Sequence, residues 1–175
     1  MMTRDEAINH PQCSQEILET LELVDVQYYG FDGEIHEGQI VVHHQLKSDV
    51  IDLFALMFGQ KFPLQEVSPI VKYNWDDETS MVNNNTSGFN FRKIVHTDRI
   101  SLHGYGFAID INPRINPVIE NGKVAQPANG SYNIEVAGTL YEEHPVVKFM
   151  EDRGWEWGGN WTHYQDYQHF QKKVK

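Results

Sequence analysis

A single cysteine, Cys13, among 175 residues excludes an intrachain disulfide and a thiolate zinc cluster. Any metal site in this chain must therefore be built from imidazole and carboxylate. Cationic side chains are scarce as well. Fourteen Lys and Arg stand against twenty-five Asp and Glu, giving a formal charge of −11. That balance argues against a basic face for nucleic acid or anionic lipid. Lys172, Lys173 and Lys175 form the one basic cluster, read as a solvated tail. No apolar run has the length of a membrane span, so no membrane insertion is expected. Residues 1–15 also lack the apolar stretch of a signal peptide. What is present is 40% hydrophobic residues, enough for one substantial core, and nine histidines.

The patterning predicts a polar N-terminal segment over 1–20 and one domain over 21–175, expected to be a monomer. Residues 21–31 and 38–46 read as strands joined around the turn dipeptide Asp32-Gly33. Ser48 is placed to cap a helix with Val50, Leu53, Phe54, Met57 and Phe58 on one stripe, ended by Pro63. A strand over 66–73 and a polar loop over 74–87 follow. Residues 100–111 read as a strand entered through two glycines, and 112–131 as a long insertion of little periodicity. Pro145 suits the first position of a helix that ends before Gly154, burying Val146, Phe149 and Met150. Residues 155–161 and 164–172 close the chain as strands. This irregular order predicts a compact α+β domain with a mainly antiparallel sheet, flanking helices and the metal site on the sheet.

The chemistry concentrates in Ser101-Leu102-His103-Gly104-Tyr105-Gly106-Phe107-Ala108-Ile109-Asp110 and in Asp166-Tyr167-Gln168-His169-Phe170. Zinc enzymes that activate water need three protein ligands, an open fourth position and a nearby base. His103, Asp110 and His169 offer the ligands, and Asp166 the base. Parity on an ideal strand sets His103 and Asp110 on opposite faces, and likewise Asp166 and His169. Gly104 and Gly106 permit a kink that re-aims one side chain. A division of labour, with His169 on the metal and Asp166 behind it, eases the second conflict.

Ser-x-His-x-x-Gly-x-Ala-x-Asp, then Trp157-Gly158-Gly159-x-Trp161, then Asp-x-x-His-Phe-Gln resemble the zinc D-alanyl-D-alanine carboxypeptidase and L-alanyl-D-glutamate peptidase family, the VanY-like enzymes and related phage endolysins. The stretch from Asn84 to Arg92 is similar to the segment preceding the first ligand there, and the resemblance spans residues 62–171. It implies one Zn2+ per chain on His103, Asp110 and His169, with Asp166 as catalytic base. It further implies that Arg92 binds the substrate carbonyl oxygen or a carboxylate. The implied substrate is the peptidoglycan stem peptide, and the implied place of action is the cell envelope or outside the cell. The ending and the Trp-Gly-Gly segment look closer to the endopeptidase branch; a D,D-carboxypeptidase is the alternative. A metal-stabilised cell-wall-binding module without turnover is the alternative of another class.

Ser101 is expected to orient a neighbouring backbone group beside the substrate, and Trp157 and Trp161 to floor its cleft, although aromatics so near a strand are as often core. His43-His44 looks metal-like, but adjacent strand side chains diverge. His36, His96, His144 and His163 have no partner at a defensible spacing. Asp76-Asp77-Glu78 reads as a solvated acidic loop.

Overall fold

The computed structural model describes residues 1–94 and 97–174. His96, and Lys175 of the basic tail, lie outside the described residues. Two short helices open the chain, α1 (Arg4–Ile8) and α2 (Gln15–Thr20), capped by Thr3 and Ser14. They are not loose polar chain: Ala7 and Ile8 are buried with Leu21, Val41 and Phe89 in a small core of their own.

The long hairpin β1 (Leu21–Tyr29) and β2 (Ile35–His43) turns at Asp32-Gly33 and runs in register from Leu21 opposite His43 to Tyr29 opposite Ile35. Both of its faces are covered. Val24, Val26, Tyr28, Ile40 and Val42 join the main core, and Leu21 and Val41 the N-terminal one. Helix α3 (Lys47–Gly59) lies on the main-core side and buries Val50, Leu53, Phe54 and Met57. Each such side chain stabilises the fold by about 1.5–3 kcal/mol when fully buried. A 3₁₀ turn, His44–Leu46, leads into α3, so Ser48 falls inside its first turn and does not cap it.

The expected strand over 66–73 is cut short. Only β3 (Glu66–Val67) is extended, and after Pro69 the chain turns as a 3₁₀ helix, Ile70–Tyr73. Proline has no N–H to continue a ladder. The expected polar loop is instead a helix, α4 (Asp77–Val82), and a strand, β4 (Asn85–Thr86), parallel to β3. Asp76 caps α4, its Oδ2 accepting from the Thr79 N–H at 2.7 Å. Asn84 and Asn85 are fully buried.

Strand β5 (Ala108–Asp110) is the one strand formed within 100–111, with an isolated bridge from Ile100 to Lys93. The supposed insertion contains a hairpin, β6 (Val118–Glu120) and β7 (Lys123–Gln126). Asn121 and Gly122 at its tip both have positive φ, the backbone that a tight two-residue hairpin turn demands. Helix α5 (Pro145–Asp152) has proline at its first turn, and His144 Nδ1 accepts from the Val146 N–H at 3.1 Å. Strands β8 (Glu156–Trp157), β9 (Gln165–Asp166) and β10 (His169–Gln171) close the chain. The domain is α+β, and among the described residues the strands fall into four small sheets. β10 lies between β5 and β8, and β6 between β7 and β9; three of the four sheets are antiparallel. Among the described residues, no helix is long and apolar enough to cross a membrane.

Candidate metal centre

Asp110 and His169 face each other directly across the antiparallel pair β5–β10, which places their side chains together on one face. His103 arrives from a 3₁₀ turn, Leu102–Tyr105, and not from a strand. Ser101 starts that turn by accepting the His103 N–H on Oγ at 3.3 Å. Gly106 ends it with φ +69°, where a Cβ would stand 2.5 Å from the His43 nitrogen. The turn removes the parity conflict between His103 and Asp110. The second conflict dissolves differently: Asp166 and His169 sit on separate strands in separate sheets, β9 and β10.

The three side chains are buried, and their ligand atoms lie within 4.8 Å of one another. His103 Nε2 is 3.2 Å from His169 Nδ1 and 3.3 Å from Asp110 Oδ2, and His169 Nδ1 is 3.0 Å from Asp110 Oδ1. The outer nitrogens define the tautomers. His103 Nδ1 donates to the Gly88 carbonyl at 2.7 Å, and His169 Nε2 donates to Gln171 Oε1 at 3.1 Å. Each ring therefore turns its second nitrogen inward, toward the other and toward a carboxylate. Two imidazole nitrogens 3.2 Å apart beside a carboxylate need a proton or a cation between them. Zn–N bonds of about 2.0–2.1 Å in tetrahedral geometry set their nitrogens about 3.3 Å apart. The donor set fits a zinc ion.

The electrostatics agree. Burial pushes the Asp110 carboxyl up, but the charge and hydrogen bonds of His103 and His169 prevail and hold it well below the usual carboxylate range. Burial would lower His169, yet its bond to Asp110 and the charges of Asp110 and Asp166 raise it to about 9. The cluster thus calls for a positive charge, met by a proton on His169 or by a metal.

Asp166 lines the same cleft, of about 160 Å³, as the triad. Its Oδ1 is buried without a hydrogen-bond partner among the described residues. Burial raises the carboxyl to about 6, while His169 pulls it down and Asp110 pushes it up. Its strand is held by β6, Val118 pairing with Asp166. Gly158 lets the chain approach, since a Cβ there would lie 2.5 Å from the Asp166 carbonyl oxygen.

Arg92, Ser101 and Trp161 also line the cleft. Arg92 is not free: its Nη2 is 3.0 Å from Asp77 Oδ2, and Asn90 Nδ2 donates to the other Asp77 oxygen at 3.0 Å. Asp77 is thus a half-buried part of the cleft wall and not a solvated loop residue, because Asp76 starts a helix there. The Trp161 ring stands 5.4 Å from that of His169. Trp157 belongs to the core. It is 2% exposed, stacks on Phe170 and donates from Nε1 to the Tyr167 carbonyl, so it does not floor the cleft.

Among the described residues, no other histidine joins the triad. His43 and His44 do not diverge, since the strand ends at His43 and their rings stack at 4.5 Å. His36 does have a partner, Asp32, at 2.9 Å.

Sequence reading missed the buried asparagines that fix the loops behind the site. Asn112 Nδ2 donates to the Pro63 and Gly138 carbonyls, and Asn116 Nδ2 to those of Ile111 and Gly138. Asn116 Oδ1 accepts from the Leu140 N–H at 2.7 Å. In both residues the side chain does the work of a missing ladder.

Residues 95–172 match the family model described as D-alanyl-D-alanine carboxypeptidase. Comparison with curated proteins and with solved structures gives no match. The matched segment carries His103, Asp110, Asp166 and His169, and it supports the family that the motifs resemble. It supports a hydrolase, a peptidase of the D-alanyl-D-alanine carboxypeptidase type. Arg92 lies three positions before it.

Proposed function

We propose that the chain is a zinc-dependent peptidase that cuts the peptidoglycan stem at a bond involving a D-amino acid, and specifically an L-alanyl-D-glutamate endopeptidase. One observation carries the reading: two inward-turned imidazole nitrogens and a carboxylate share a cleft with a buried, unpartnered Asp166 oxygen. His103, Asp110 and His169 would hold the metal. When bound, it supplies a Lewis acid that polarises the scissile carbonyl and makes a water acidic enough to attack near neutral pH.

The chain's own groups do the rest. Asp166 Oδ1 takes the proton of the attacking water and returns it to the leaving amine nitrogen. The raised pKa suits a group that must both accept and release a proton near neutrality. Arg92 steadies negative charge developing on the carbonyl oxygen. Trp161 forms an apolar wall beside His169, and Ser101 holds the turn that presents His103.

The Asp-x-x-His-Phe-Gln ending and the Trp-Gly-Gly segment favour the endopeptidase. The description of the matched family favours the second reading, a D-alanyl-D-alanine carboxypeptidase. Digesting defined stem peptides and weighing the products decides between them. Cleavage between L-alanine and D-glutamate is expected, whereas loss of a single terminal alanine establishes the carboxypeptidase. Peptidoglycan binding by zinc-loaded protein without release of any peptide would favour the wall-binding module. Such a substrate implies action at the cell envelope or outside the cell.

Arg92→Lys keeps the charge but loses the planar fork that reaches Asp77 and the cleft together. Turnover should fall by about tenfold or more, with zinc content unchanged. Steady-state kinetics on one stem peptide measures this, and unchanged kinetics would remove Arg92 from the reaction.

A further inference from the structure

The hydrogen bonds of His169 continue outward from the site. His169 Nε2 donates to Gln171 Oε1 at 3.1 Å, and Gln171 Nε2 donates to Glu156 Oε2 at 2.8 Å. The other Glu156 oxygen, Oε1, accepts the Trp161 indole N–H. Glu156 and Gln171 are direct cross-strand partners on β8 and β10, so the sheet register itself brings them together.

The direction of this chain of bonds matters. A primary amide has a donor end and an acceptor end of nearly equal size, and a flip exchanges them. Gln171 alone therefore fixes nothing. With its NH2 toward His169, the ring would have to accept on Nε2 and carry its proton on Nδ1, the atom facing His103 and Asp110. An ionised carboxylate removes the ambiguity because it only accepts. Glu156 obliges Gln171 to point its NH2 outward and its oxygen at His169. In the neutral ring the proton then stays on Nε2, and Nδ1 is left to bind the metal.

We infer that Glu156 is a positioning residue, which fixes the direction of the Gln171 amide and thereby holds His169 in its metal-binding tautomer. The same carboxylate ties Trp161, on the cleft wall, to that chain. This inference deepens the metal reading above and rests on it. Partners of this kind typically contribute about 10- to 100-fold in metal affinity.

The test is zinc affinity of the full chain, by competition with a chromophoric chelator. Glu156→Gln keeps the shape but offers Gln171 either a donor or an acceptor, and should bind zinc about 10- to 100-fold more weakly. The exchange variant Glu156→Gln/Gln171→Glu restores a single direction. Its amide, now on β8, donates to the carboxylate now on β10, and that carboxylate accepts from His169. Affinity should return to near the wild-type value. Glu156 is exposed at the surface, and unfolding midpoints of the metal-free proteins check that both variants fold. Equal affinity in wild type and Glu156→Gln overturns the inference, as does an exchange variant no tighter than the single one. A wild-type chain that takes up no zinc overturns the metal reading itself.

Discussion

Asp166→Ala is expected to keep its zinc and lose about 10²- to 10⁴-fold in turnover, the usual weight of a positioned acid–base group. The expectation follows from where the carboxylate sits. Asp166 is on β9, in the sheet made with β6 and β7, whereas the three ligand side chains come from β5, β10 and the turn before β5. Removing it takes no donor from the triad, whose mutual contacts involve only His103, Asp110 and His169. It does take away the one buried carboxylate oxygen in the cleft that has no hydrogen-bond partner among the described residues. Zinc analysis and single-turnover hydrolysis on the same preparation measure both halves. A metal-free Asp166→Ala protein would show that this carboxylate is a ligand and not the base.

His169→Ala should have the other signature, with loss of metal and of the stabilisation that metal gives. A ligand that binds only the folded state stabilises it by about 2.7 kcal/mol at a hundred times its Kd. For a domain of this size that amounts to roughly 5–10 °C in Tm. Wild type should show that zinc-dependent rise and His169→Ala should not. The variant also strips Asp110 of its 3.0 Å partner, so the metal-free protein should itself be less stable than wild type. An undiminished zinc-dependent rise in His169→Ala would place the metal elsewhere.

The site is more legible in the sequence than the backbone that presents it. The spacing of small residues around His103 and Asp110 marks them, but an ideal strand would throw them to opposite faces. Only the 3₁₀ turn between Ser101 and Gly106 brings them together, and such short turns leave no periodic trace. Apolar patterns are legible where they are long, as in α3 and the β1–β2 hairpin.

Short elements escape even where a signal is present. Asn121-Gly122 between Val118-Ile119 and Val124 is a hairpin dipeptide, masked by the prolines around it. Asp76 followed by Asp77-Glu78 is an N-cap residue with acids in the first turn, and it puts Asp77 on a helix beside Arg92. Polar character misleads at Asn84, Asn85, Asn112 and Asn116. All four are fully buried, because a core of short strands leaves backbone groups that only side-chain amides satisfy. The cross-strand pairing of Glu156 with Gln171 depends on register, which a single sequence does not fix when the strands are two and three residues long.

The measurement that tests the central claim most directly is elemental zinc analysis of wild type and His103→Ala, with peptidoglycan digestion on the same samples. The account predicts about one zinc per wild-type chain, lost in the variant together with peptide release. A wild-type protein that contains no zinc when purified without chelator, and takes up none when it is added back, would contradict it.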